Sequence, residues 1–254
     1  MPAPTNILKQ RLAAGDTTYG CWLSFAEANV AEMMGTAGFD WLVIDGEHAP
    51  NDIRSIRDQL MALQGSPSSV AVRVPIGETW MIKQVLDVGA QTVVVPMVET
   101  ADQARELVRA CHYPPVGLRG VGVGSARASR FSGIPDYIKT ADDQICLIVQ
   151  VENRAGMAAL DDILAVDGID GVFIGPSDLA SDMGHSGDAT VPEVQDVIMD
   201  AIPRILAAGK APGIMSLGDG TQAYVDAGAQ FLSVGIDVLY LMKTARQTAA
   251  KWIG

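Results

Sequence analysis

Two acidic residues that close apolar runs offer the clearest chemistry in this chain. Glu152 ends ICLIVQVE, and Asp178 follows GVFIGPS. Two carboxylates, completed by waters and a chelating substrate, suit a hard divalent cation such as Mg2+ or Mn2+, with Co2+ a further fit. Taken alone, Asp178 reads equally as the cap of the next helix. Zinc is disfavoured, because His48, His112 and His185 have no short-spaced histidine partner. His48 differs from the other two in following Asp45 by three residues at the end of WLVID. An aspartate on one ring nitrogen would fix the tautomer and make the other nitrogen a better base. A loop histidine beside a helix cap is the alternative. Arg73 ends the apolar run SVAVR. A buried guanidinium needs an anionic partner, here either a structural acid or a substrate carboxylate and developing oxyanion. The six lysines (Lys9, Lys83, Lys139, Lys210, Lys243 and Lys251) all fall away from the ends of the apolar runs. Iminium chemistry needs a desolvated lysine inside the site, so metal-assisted chemistry is the better expectation.

The elements that must position these residues alternate along the chain. Strand-like runs cover 18–24, 40–46, 69–74, 91–97, 145–152, 171–176, 212–216 and 231–237. Helical patterns lie between them, near 27–37, 51–63, 79–88, 100–111, 155–165, 192–208, 220–227 and 238–250. Asn51, Thr79 and Thr100 are candidate caps. Gly38, Gly89 and Gly228 stand where helices should end before strands. Eight βα units in 254 residues predict one α/β domain over 1–254, a closed (β/α)8 TIM barrel. In that fold the chemistry gathers where strands end, which brings Asp45, Glu47, His48, Arg73, Gln150, Glu152, Ser177, Asp178 and Met215 to one mouth. The irregular stretch 113–143 is expected as a long loop after strand 4, ordered over that mouth. Its segment RGVGVGSARASR could cradle a phosphate with glycine amides and arginines. It lacks the Lys-Ser/Thr ending of a P-loop.

Composition narrows the function classes. The net charge of −12 argues against a generic nucleic-acid partner. The longest apolar runs are too short to span a bilayer, so no membrane partner is expected. The first ten residues, MPAPTNILKQ, lack the apolar core of an export signal. Cys21, Cys111 and Cys146 lie far apart and read as buried thiols of a cytoplasmic protein.

Several longer segments carry a resemblance. WLVIDGEHAP (41–50), IKQVLDVGAQTVVVPMVET (82–100), YPPVGLRGVG (113–122) and VQVENRAGMAALDDILAVDGIDGVFIGPSDL (149–179), with the turn AGKAPG (208–213), resemble the HpcH/HpaI aldolase/citrate lyase family. The likeness runs from about residue 15 to 250. It implies a barrel of the phosphoenolpyruvate/pyruvate-binding type and a metal-dependent class II pyruvate aldolase. Such an enzyme reversibly cleaves a 4-hydroxy-2-oxo acid, of the heptanedioate or 2-keto-3-deoxy sugar-acid kind, to pyruvate and a small aldehyde. It also implies a homo-oligomer, a hexamer built as a trimer of dimers. By motif position Glu152 and Asp178 would hold the metal. His48 would be the base, with Asp45 beside it and Asp87, which can come from a neighbouring subunit, raising its basicity. From the residues alone Asp87 is only a helix-end residue before Gly89. Arg73 would bind pyruvate and stabilise the enolate, Gln150 and Ser177 would contact substrate, Trp22 would line the pocket, and Met215 would face the aldehyde. A CoA-thioester lyase of the citrate lyase β type and a non-catalytic keto-acid-binding barrel are the rival readings. The first needs a basic nucleotide surface that is not evident in the sequence, and the second leaves the acid, arginine and histidine set without a purpose.

Overall fold

Each predicted strand run forms a strand in the computed structural model, which describes residues 1–253. The strands are β1 (Thr18–Leu23), β2 (Trp41–Asp45), β3 (Ser69–Arg73), β4 (Thr92–Val95), β5 (Cys146–Val151), β6 (Gly171–Ile174), β7 (Ala211–Met215) and β8 (Phe231–Ile236). All neighbours pair in parallel, and β8 returns to β1 to close the barrel in sequence order. Two hydrophobic layers follow from the period-2 pleat. Trp22, Trp41, Val43, Ala71, Ile148, Phe173 and Phe231 fill the inside of the barrel. Alternate residues such as Leu42, Ile44, Val72, Val93 and Leu147 pack outward against the helices. Trp41 stacks on Phe231, and Phe173 meets Trp22 edge to face.

Helix ends obey local chemistry. Gly38, Gly89 and Gly228 all adopt positive φ, as the pre-strand punctuation predicts. Thr100 caps its helix through Gln103 N–H. Two of the expected caps differ. Asp52, not Asn51, caps Ile53–Ala62, in a reciprocal box with Ser55. Asn51 instead donates from its amide to the Asp45 carbonyl at 2.7 Å, tying the loop to the end of β2. Thr79 makes no cap bond.

The pattern of apolar residues did not announce the helix Ile7–Ala13. Asn6 caps it, and Leu8 and Leu12 enter the inner cluster, so it closes the end of the barrel opposite the mouth. The helix Pro176–Asp182, which the cap reading of Asp178 allowed for, starts on the proline that follows Gly175 and carries Asp178 in its first turn.

The stretch 113–143 corrects an expectation. It follows the helix Ala101–Cys111 and precedes β5, so it is an αβ connection on the face where strands begin. It carries short helical turns at Arg127–Ser129, Tyr137–Thr140 and Asp142–Gln144. Arg127 donates to the Val88 carbonyl and to Gln64, both near strand starts. It therefore does not lie over the mouth of its own chain. No helix among the described residues is long and apolar enough to cross a membrane.

Candidate active site

The register of β2 and β3 sets Asp45 directly beside Arg73. Both side chains point inward at the mouth and are buried. Arg73 donates to Asp45 through Nε at 2.9 Å and Nη2 at 2.8 Å, a two-point contact that fixes the guanidinium plane. Its Nη1 lies 2.8 Å from Glu47 Oε2. The guanidinium sits 4.2 Å above the Trp22 ring, so Trp22 forms the floor beneath it. Arg73 is thus locked by two acids and an aromatic face, with further N–H groups on Nη1 and Nη2 left for a ligand.

Asp45 does not hold the His48 ring, contrary to the expected pairing. Its Oδ1 accepts the backbone N–H groups of Glu47 and His48, while Arg73 takes the rest of its capacity. The aspartate builds the turn that carries His48 instead of tuning its imidazole. The His48 side chain is 64% exposed, and its nearest acid is Glu47, with 3.9 Å between Nε2 and Oε2. Glu47 is half-buried, and burial pushes its carboxyl up despite the pull of Arg73. Sequence reasoning placed Glu47 at the mouth without a role. The signal was its position in the DGEH turn.

Gln150 and Glu152 are two residues apart and therefore share the inner face of β5. The Gln150 amide donates to Glu152 Oε2. Met97 N–H donates to Oε1 at 2.8 Å. That amide is aimed by a strained backbone, since Met97 has φ 56° without being glycine. No sequence pattern announces such a conformation. Burial pushes the Glu152 carboxyl up to about 7, with these hydrogen bonds opposing and the Asp178 and Glu47 charges adding to the rise. Gly175 lies against Glu152, where a β-carbon would collide with the carboxylate. Ser177 and Asp178 stand exposed in the first turn of Pro176–Asp182. Met215, half-buried at the end of β7, packs on the inner cluster.

The donor set fits a divalent cation. Asp45 and Glu47 hold the Arg73 guanidinium, and the charges of Asp178 and Glu47 act on Glu152, which makes the mouth strongly negative. Gln150 Oε1 is a buried acceptor without a hydrogen-bond partner among the described residues. Among the described residues no three acidic, histidine or cysteine side chains form a ready-made cage. Two carboxylates with room for water and substrate match the way hard divalent ions are usually held in catalytic sites.

Asp87 is placed elsewhere. The helix Thr79–Asp87 runs nine residues back from the mouth. At 1.5 Å per residue that is roughly 13 Å, so Asp87 lies toward the opposite face, far from His48 of its own chain. Asp237 is a buried acid that the sequence reading passed over. It starts the last helix and accepts N–H bonds from Ser24, Phe25 and Val238, which pins the loop after β1.

The model of the HpcH/HpaI aldolase/citrate lyase family matches residues 18–244. The chain belongs to this family. Within it, a hydroxypyruvate/pyruvate aldolase of Roseovarius nubinhibens is 63% identical over 253 residues, covering 99% of this chain and 98% of the relative. A 4-hydroxy-2-oxo-heptane-1,7-dioate aldolase of Salmonella dublin is 50% identical over 248 residues, covering 97% and 94%. The crystal structure of a family protein from Burkholderia cenocepacia J2315 superposes with a TM-score of 0.94 at 40% identity, covering 98% of this chain and all of the other. Members bearing aldolase names are carbon–carbon lyases, and this chain is an enzyme of that kind.

Proposed function

We propose that the chain is a divalent-metal-dependent pyruvate aldolase, joining pyruvate or hydroxypyruvate reversibly to a small aldehyde. The observation that carries this reading is the mouth itself. A buried Glu152 and an exposed Asp178 share that mouth with a guanidinium locked by Asp45 and Glu47. The two relatives named above carry aldolase names that include hydroxypyruvate, pyruvate and a hydroxy-oxo diacid, which supports a 2-oxo acid donor. Glu152 and Asp178 would hold Mg2+, Mn2+ or Co2+. A divalent cation supplies Lewis acidity that lowers the cost of the donor enolate.

The chain's own residues do the rest. Arg73 presents its remaining N–H groups to the donor, where negative charge develops on the keto oxygen. Its rigidity matters, because a preorganised charge needs no reorientation as the reaction proceeds. Gln150 and Ser177 orient the donor carboxylate, and Trp22 keeps Arg73 level. His48 Nε2 takes the proton of the acceptor hydroxyl in cleavage and returns it in synthesis. Met215 meets the aldehyde chain. The resemblance pairs Asp87 with His48, and with Asp87 on the far face of its own barrel that pairing would be made across subunits of a homo-oligomer, expected as a hexamer.

The test does not require knowing the aldehyde. Incubation with pyruvate in D2O should exchange the methyl protons when Mg2+ or Mn2+ is present and cease in EDTA, as followed by NMR. Exchange that persists in EDTA refutes metal-assisted enolisation.

A further inference from the structure

Arg119 is fully buried, yet it is poorly paired. Its guanidinium lies 4.4 Å from the Tyr113 ring and 5.8 Å from the Tyr137 ring. Nη2 reaches Tyr137 Oη at 3.4 Å and Asp87 Oδ1 at 3.5 Å. Nε and Nη1 have no hydrogen-bond partner among the described residues. A cation buried this way is a poor source of stability, because desolvation offsets most of what a single long contact returns. An apolar side chain of the same volume would pack the same space at lower cost.

What the arrangement does achieve is to orient Asp87. One carboxylate oxygen is turned inward to Arg119. The other is faced by Gly122, where even a β-carbon would stand 3.6 Å away. Asp87 is only 28% exposed, and it borders a hollow of about 640 Å3 whose wall includes Ser125, Arg127 and Phe131. Phe131 is 67% exposed at its rim. The glycine-rich segment that looked like a phosphate cradle thus wraps around one aspartate.

We propose that Arg119, seated between Tyr113 and Tyr137, is a positioning residue that aims Asp87 at the His48 imidazole of a second copy of this chain. This rests on the reading of Asp87 as the cross-subunit partner of His48. Arg119 holds one oxygen of Asp87 back, and the other, with no side chain at Gly122 against it, is left for the incoming ring. Arg119 touches no substrate, and its effect travels through Asp87 alone.

The experiment follows the His48 titration in assembled protein, read by mass spectrometry as the pH dependence of diethylpyrocarbonate modification at that residue. Losing an aimed carboxylate should displace that modification profile toward lower pH. Arg119→Met and Asp87→Asn should therefore shift it equally, with unchanged oligomer mass. Arg119→Lys keeps the buried charge but not the Nη2 that reaches both Asp87 and Tyr137, so it should shift the titration in the same direction and serves if Arg119→Met does not fold. Mixed assemblies of Arg119→Met and His48→Ala subunits should regain activity, because an intact mouth then meets an intact Asp87 rim. If Asp87→Asn shifts His48 and neither Arg119 variant does, the positioning role is wrong. If none of the three shifts it, the cross-subunit pair itself is wrong.

Discussion

Stripping divalent metal should make this barrel less stable as the pH rises, and Glu152 is the reason. Its carboxyl sits at about 7 in the folded protein, chiefly through burial, against 4.5 for the free group. A carboxyl whose folded pKa is raised binds more protons in the native state than in the unfolded one between those two values. Its contribution is therefore most favourable below about pH 4.5, declines as the pH climbs toward about 7, and then levels off. The interval is bounded by roughly 3 kcal/mol at about 1.36 kcal/mol per pH unit. For a chain of this size that bound corresponds to a melting shift of roughly 6–12 °C. Carboxylates held down by backbone hydrogen bonds, such as Asp52 and Asp182, titrate in the opposite sense at acid pH. Glu152→Gln isolates the effect, since it removes the titration and keeps a carbonyl acceptor for Met97 N–H. Thermal melts in EDTA from pH 5 to 7.5 should give a wild-type-minus-variant difference that falls with pH. Saturating Mg2+ or Mn2+ should abolish that fall in the wild type, because the cation then balances the carboxylate that the proton otherwise neutralises. Parallel melting curves for the two proteins in EDTA would refute the argument.

Three further outcomes follow from the geometry. His48→Ala should reduce kcat by about 10^2 to 10^4, the scale of a lost general base, and wild-type turnover in that variant removes His48 from the reaction. Asp45→Asn should lower folding stability by roughly 3 kcal/mol, because Arg73 is left buried with its two-point partner gone. An unchanged denaturant midpoint would show that Glu47 and Trp22 suffice to hold it. Gly175→Ala places a β-carbon against the Glu152 carboxylate and should weaken Mn2+ binding by about tenfold or more, measurable by electron paramagnetic resonance. Wild-type affinity in that variant would mean that Glu152 binds no metal.

The barrel was legible because its cues are local. Alternating apolar runs gave the strands to within a residue or two, and Gly38, Gly89 and Gly228 marked the helix-to-strand turns through backbone sterics alone. The mouth was legible for the same reason, since strand ends in a parallel barrel converge wherever the chain goes afterwards. What escaped depends on contacts distant in sequence. Nothing near Asp45 says that its carboxylate goes to Arg73 on the next strand rather than to His48 three residues on. Only the register decides that. Met97 gives no hint that its amide will turn back to Glu152. The 113–143 stretch was misplaced because its glycines and arginines resemble a ligand loop, whereas its position after a helix puts it at the other end of the barrel.

That position gives the molecule its functional logic. The mouth holds acids, a fixed guanidinium and an exposed histidine, but no carboxylate bonded to the His48 ring. The opposite face holds an aspartate with one oxygen tied to a buried arginine and the other left open. Each face supplies what the other lacks, and the roughly 13 Å length of the Thr79–Asp87 helix keeps them apart within one chain. A contact that joins unlike faces either repeats heterologously around a symmetry axis or is exchanged reciprocally between the two copies of a pair. The proposed His48–Asp87 pair would then exist only in a closed assembly. A dissociated subunit would keep its metal carboxylates and Arg73, and with them the binding of the 2-oxo acid, while losing the tuned base. Assembly would therefore govern turnover more than donor affinity, and the exposed His48 would be the part of the mouth completed last.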